Sequence, residues 1–241
     1  MSHNVFNKKT TILHTGHIGD IIAFLPSFQR LNGTHLVIKD EQPWMEPMSG
    51  FKYDSIKPLL ESQGIKVSFN DATVVDYDMS GWRECYRDDI SLADAQARYC
   101  GVITRDGFLD LNAPWIKVDG NPDTKDLVIF NRSPRYNNSL FPWDKIVKHY
   151  GSQAVFVGTD DEHKVFCSKF GEVKRHFAKN CLEVAQAIAS CRLFVGNQSS
   201  AFWIAAALQK PLIQEVYTPS PNSVIKYPEA QYCFDGKVNY V

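Results

Sequence analysis

Two rounds of alternating strand-like and helix-like segments, separated by one polar stretch, restrict this chain to very few folds. In the first round the apolar pattern predicts strand at residues 10–14, helix at 18–31 and strand at 35–38. A helix at 55–63, ended by Gly64, short strands at 67–69 and 73–77, and a helix at 90–99 complete it. The second round predicts strands at 127–130, 154–157, 193–195 and 212–214. Between these strands lie expected helices at 143–150, 160–170, 182–190 and 200–208, two of them opened by the capping boxes Thr159-x-x-Glu162 and Asn180-x-x-Glu183. Residues 117–126 are rich in turn formers, lack apolar periodicity and read as a linker. Such alternation lays strands in parallel with helices on both faces. The expectation is two α/β domains, residues 1–120 and 121–241, whose parallel sheets face a central cleft. Ligands of such sheets sit outside the carboxyl ends of the strands, so the loops that follow strands carry the functional reading.

Composition excludes several classes. At 241 residues and 44% hydrophobic content the chain can bury a substantial core. No apolar run approaches the ~20 residues of a membrane span, and the first nine residues offer no apolar stretch of a signal peptide. The six cysteines are far apart, with no C-x-x-C pair. They read as free thiols in a reducing compartment, and a cytoplasmic location is expected. The net charge of −1 implies no general attraction to nucleic acid. It is split unevenly: residues 1–126 carry −5 and residues 127–241 carry +4, which suits an anionic ligand on the second half.

The turn after the first strand is the most informative. It reads His14-Thr-Gly16-His17-Ile-Gly19-Asp20, followed by an apolar helix. Gly16 and Gly19 let backbone approach a ligand closely, the helix start offers free N–H groups for phosphate, and Asp20 is a candidate general base. It is not the dinucleotide fingerprint, which needs a third glycine. An Asp in a first helical turn is also favoured by the helix dipole alone. His14, His17 and Asp20 match no metal-ligand spacing, so no metal site and no cofactor is expected.

The second half supplies further strand-end loops. Gly196-Asn197-Gln198-Ser199-Ser200 precedes an Ala-rich helix; its hydroxyls can cap that helix or meet a diphosphate. Arg132, Ser133 and Arg135 follow the first strand of this half, where guanidinium forks suit phosphate oxygens. Gly158 and Thr159 can border a nucleotide, although the capping box already accounts for Thr159. Glu215 ends a strand, where a carboxylate can hold ribose hydroxyls. In the first half, the mixed aromatic and charged loop 81–89 makes Trp82, with His17, a candidate for the acceptor side. No Ser/His/Asp or Cys/His grouping stands out by order or spacing.

Taken together, two segments resemble a known family. Gly16-His-Ile-Gly-Asp20, with Pro26 six residues on, resembles the G-x-x-G-D-x-x-x-x-x-P signature of the heptosyltransferase-like glycosyltransferases, glycosyltransferase family 9. Residues 194–211, from Gly196-Asn-Gln-Ser-Ser200 to Pro211, resemble the family's G-N-D-S-G-x-x-H-x-A-A-A-x-x-x-P signature, and residues 155–162 its strand–glycine–acidic element. The resemblance implies a GT-B fold: two Rossmann-like α/β/α domains with a nucleoside-diphosphate sugar held mainly by the second. It implies metal-independent, inverting sugar transfer, with Asp20 at the position of the proposed base and Asn197 and Ser199 in the donor motif. The chain departs from the pattern at Gln198, Ser200 and Trp203, where the family has Asp, Gly and His. The lost Asp removes a carboxylate near the donor and puts ADP-heptose and a lipopolysaccharide acceptor in doubt. The acceptor hydroxyl is left open among a saccharide, a glycan precursor and a modified base in DNA. A sugar-nucleotide epimerase and a non-catalytic nucleotide-sugar binder stay open beside the transferase.

Overall fold

The computed structural model describes residues 8–40 and 50–240. In the first half β1 (Thr10–His14), β2 (Gly33–Ile38), β3 (Lys66–Phe69) and β4 (Tyr77–Asp78) form a parallel sheet in the order β3-β2-β1-β4. Its helices are α1 (Ile18–Arg30), α2 (Gly50–Ser62) and α3 (Leu92–Tyr99). In the second half β5 (Val128–Asn131), β6 (Ala154–Val157), β7 (Lys174–His176), β8 (Leu193–Asn197), β9 (Leu212–Glu215) and β10 (Ala230–Cys233) form a parallel sheet in the order β10-β9-β8-β5-β6-β7. The helices α4 (Trp143–Tyr150), α5 (Asp160–Phe170), α6 (Cys181–Ser190) and α7 (Ser200–Ala207) complete it. The fold is thus two parallel-sheet α/β domains.

The expected strand at 73–77 shrinks to Tyr77–Asp78 because the edge of β1 is met by a side chain instead. The Asp76 carboxylate accepts the Thr11 N–H at 2.9 Å. β7 and β10 were not expected. Both are edge strands without an apolar run, and β7 reads Lys-Arg-His.

Parallel sheets bind ligands where the strand order reverses. In the first sheet that point lies between β1 and β4, and in the second between β5 and β8. The loops after β1, β5 and β8 are therefore the ones placed to meet. The loop after β6 and the end of β9 lie to either side.

One core joins the two halves. Residues of β1, α1 and α3 pack in the same cluster as residues of α6 and α7. A second cluster lies on the far face of the second sheet, built on Phe130, Trp143, Ile146 and Phe166 of β5, α4 and α5. α7 is apolar all round, with Ala201–Ala207 buried, as suits a helix packed on every side. In α1, Asp20–Phe28 are all buried. Pro26 inside α1 lacks the N–H that would bond Ile22 C=O. The indole N–H of Trp115 takes that carbonyl instead, at 3.2 Å, while the Trp115 backbone N–H donates to Ala207 C=O at 3.0 Å. Trp115 thereby ties α1 to α7. Nor does the segment 117–126 run free: Asn121 N–H donates to Gln186 C=O at 2.9 Å and Thr124 Oγ1 to Ala187 C=O at 2.9 Å, along α6.

Candidate active site between the two halves

A cavity of about 910 Å³ opens where the two halves meet, within the usual size range of small-molecule sites. Its walls come from the switch-point loops. His17, Gly19 and Asp20 line it from the turn after β1; Arg135 and Tyr136 from the loop after β5; Gln198, Ser199 and Ser200 from the turn after β8.

Two helix N-termini converge there, one from each half. A Cβ on Gly19 would lie 3.3 Å from Trp203 Cδ1 and 3.7 Å from Ser200 Cα, so this glycine sets how closely α1 approaches α7. Trp203 fills the seam at the position where the family signature has His. Gly16 has a different task and does not line the cavity. A Cβ there would collide with Asp20 Cβ and His14 Cε1, both at 2.5 Å. Its N–H donates to His14 Nδ1 at 2.9 Å. His14 Nε2 therefore carries the ring proton and donates to Gln96 Oε1 at 2.6 Å, and Gln96 Nε2 donates to the Asp20 carbonyl at 3.0 Å. Burial holds the His14 pKa below its ordinary value.

Asp20 is 8% exposed and stands at the cavity wall. Its Oδ2 accepts the His17 N–H at 2.9 Å, as a capping carboxylate does, and Arg83 Nη2 at 2.9 Å. Both bonds fall on one oxygen. Oδ1 has no hydrogen-bond partner among the described residues, leaving it able to accept a proton. Arg83 is itself laid over the Trp82 ring, 4.3 Å from its centroid. Trp82 is fully buried and supports Arg83 from beneath; it does not line the cavity as an acceptor-side residue.

Ser199 caps α7. Its Oγ accepts the Phe202 N–H at 3.3 Å and donates to Asn131 Oδ1 at 2.7 Å, so its hydroxyl proton is engaged. The N–H groups of Ser200 and Ala201 remain at the mouth of the helix. Gln198 spends both ends of its amide on the loop after β9. Nε2 donates to Ser220 C=O at 2.8 Å and Oε1 accepts the Tyr217 N–H at 2.6 Å. A carboxylate could not make the first of these bonds. Asn197 is fully buried. Its Nδ2 donates to Arg135 C=O at 2.6 Å and its Oδ1 accepts the Ser133 N–H at 3.0 Å. Asn197 and Ser133 thus shape the loop that delivers Arg135 to the cavity.

Other sequence candidates lie outside it. Glu215 is fully buried and accepts four hydrogen bonds: Arg132 Nε at 2.9 Å and Nη2 at 3.1 Å, Trp143 Nε1 at 2.7 Å and Asn138 N–H at 2.6 Å. With its carboxylate saturated, Glu215 has no capacity left for ribose, and Arg132 is committed to it. Gly158 and Thr159 follow β6, away from the switch point. The Gly158 carbonyl accepts Arg175 Nη2 at 3.0 Å, and Thr159 is consumed by its capping box. Sequence reasoning missed Lys52, Arg83, Tyr86, Tyr136 and Asn222 on the cavity wall. Arg83 stood inside the quoted loop 81–89, but nothing in its spacing pointed to Asp20, 63 residues earlier. Among the described residues no group of three or more His, Cys, Asp or Glu is placed to hold a metal. No helix among them is long and apolar enough to cross a membrane.

No protein-family model and no curated protein matches the sequence. Solved structures do match the fold. The glycosyl transferase family 9 protein from Veillonella parvula aligns at TM-score 0.55 and 14% identity, over 94% of this chain and 85% of that one. The E. coli heptosyltransferase WaaC with ADP-2-deoxy-2-fluoro heptose aligns at TM-score 0.52 and 13% identity, over 94% and 93%. The iron-containing dodecameric glycosyltransferase TibC from enterotoxigenic E. coli aligns at TM-score 0.56 and 17% identity, over 96% of this chain but 63% of that one. The fold is therefore the GT-B fold of glycosyltransferase family 9 structures, as the two sequence motifs led one to expect.

Proposed function

We propose that this protein transfers a sugar from a nucleoside-diphosphate sugar to an acceptor hydroxyl, with inversion and with Asp20 as general base. The observation that carries the reading is the open Oδ1 of Asp20, in the same cavity as the α7 N-terminus and Arg135 of the other half. In this reading the diphosphate rests against the Ser200 and Ala201 N–H groups and Arg135. The acceptor hydroxyl gives its proton to Asp20 Oδ1, and its oxygen attacks the anomeric carbon from the face opposite the diphosphate. The bond from that carbon to the diphosphate oxygen breaks, and its electron pair leaves on the phosphate. Arg135 and the paired helix N-termini meet the charge that develops, so no metal ion is assigned to the step. His14 and Gln96 hold the backbone of Asp20, and Arg83 holds its carboxylate, so the base is oriented before the acceptor arrives. The fold similarity supports glycosyl transfer as the general class. The WaaC complex with an ADP-sugar analogue supports a nucleotide sugar as donor.

The test is a thermal-shift and calorimetric screen of nucleoside diphosphates and their sugars, followed by nucleoside-diphosphate release with a panel of hydroxyl acceptors. Stabilisation by one diphosphate and release of it from its sugar are expected. Binding without release under every acceptor would make the protein a binder, and no binding of any diphosphate would end the reading.

A further inference from the structure

The cavity carries more positive charge than one diphosphate site uses. Lys52, Arg83 and Arg135 line it, against one carboxylate, Asp20, among the described residues that form its wall. Asp20 is already paired with Arg83, and Arg135 stands on the second half with the α7 N-terminus. Lys52 belongs to the first turn of α2, in the first half, on the side of the base. It has no carboxylate partner among the described residues. His17 sits among these charges. Burial first, then Lys52, Arg135 and Arg83 in turn, push its pKa down, with Asp20 opposing. The three cations therefore act on one point beside Asp20. This is unexpected in a half whose sequence is net −5 over residues 1–126. An unpaired ammonium at a cavity wall finds its partner in a ligand.

We infer that Lys52, with Arg83 beside it, is a subsite for an acidic group on the acceptor, a phosphate or carboxylate carried next to the hydroxyl that attacks. The inference rests on the transferase reading above and narrows its acceptor to an acid-bearing saccharide. A DNA duplex fits less well, because a polyanion would have to approach the acidic first half outside the cavity. The subsite places the acid group close to Asp20 and Arg83 and leaves Oδ1 facing the neighbouring hydroxyl.

The probe is inorganic phosphate, titrated calorimetrically into protein already saturated with its nucleoside diphosphate, for the wild type and for Lys52→Met. Wild-type protein is expected to bind phosphate in the ternary complex, and Lys52→Met to weaken it at least fivefold while leaving diphosphate affinity within twofold. Acetate, as the carboxylate counterpart, tells which acid is preferred. Equal loss of diphosphate affinity in Lys52→Met would assign Lys52 to the donor and overturn the inference. Absence of phosphate and acetate binding to the saturated wild type would overturn it too, as would tighter binding of a short DNA duplex than of either anion. Failure of every diphosphate to bind is a separate result, which removes the transferase reading itself.

Discussion

Replacing Glu215 by Gln separates a structural carboxylate from a ligand-binding one. In the structure this carboxylate is fully buried, accepts four hydrogen bonds and neutralises Arg132, whose side chain is 13% exposed. Gln is nearly isosteric but offers one acceptor oxygen and one donor amide. The amide must face at least one of Arg132, Trp143 Nε1 or the Asn138 N–H, all donors, so one buried donor loses its partner and the guanidinium loses its counter-charge. Breaking a buried pair by removing one partner costs about 3–5 kcal/mol. For a chain of this size each kcal/mol moves the melting temperature by about 2–4 °C, so the ligand-free variant should melt about 6–20 °C below wild type. The assay is calorimetry or circular dichroism without nucleotide. If Glu215 held ribose instead, the ligand-free melting temperature would stay put and only donor affinity would fall. That result would refute the assignment of Glu215 and Arg132 to the frame.

Other outcomes are expected from the same geometry. Gly19→Val adds two methyl groups in a seam where Cβ already lies 3.3 Å from Trp203; it should lower stability by about 1–3 kcal/mol and weaken diphosphate binding at least tenfold, both read in one thermal-shift titration. Asn197→Ala releases the loop that carries Arg135, so diphosphate affinity should fall although Asn197 does not line the cavity. His14 is held neutral by burial, so the folded state binds its proton more weakly than the unfolded chain. Its contribution to stability is complete above the ordinary His pKa of about 6.5 and is lost as pH falls below it, by at most about 1.4 kcal/mol per pH unit. Urea midpoints at pH 7 and 5.5 measure the loss, and an NMR titration should keep the His14 ring neutral at pH 6.

What the sequence made legible was local. The capping boxes at Thr159 and Asn180, the glycine turn before α1 and the apolar helix after Ser199 each announce themselves within a few residues. Alternation then led to parallel sheets, and strand-end loops to a cleft. Contacts between distant residues were not legible. Arg83 reaches Asp20 across 63 positions, and Arg132 reaches Glu215 across 83. Nothing in composition marks either pair, so Glu215 and Arg132 read as ligand groups when burial makes them structural. The cleft rule failed at Gly158 because it treats all strand ends alike. Only strands flanking the reversal in strand order border the cavity, and strand order is a tertiary property. Trp82 misled in the same way: a polar-looking loop hides a buried ring that supports its neighbour. Lys52 carried no signal at all, because a lysine in a helical first turn is ordinary surface until the fold turns it toward a base.

The central claim is that Asp20 takes a proton from an acceptor while the opposite half holds the donor. The direct measurement is turnover and donor affinity of Asp20→Asn, once a diphosphate sugar and acceptor are in hand. Asn can keep the His17 N–H and Arg83 bonds through its carbonyl oxygen but turns an amide toward the acceptor, where a base is needed. Losing general-base assistance costs about 10²–10⁴ in rate. The account expects kcat to fall by that factor with the dissociation constant of the donor within threefold of wild type. Wild-type turnover in Asp20→Asn, with folding intact, would contradict it.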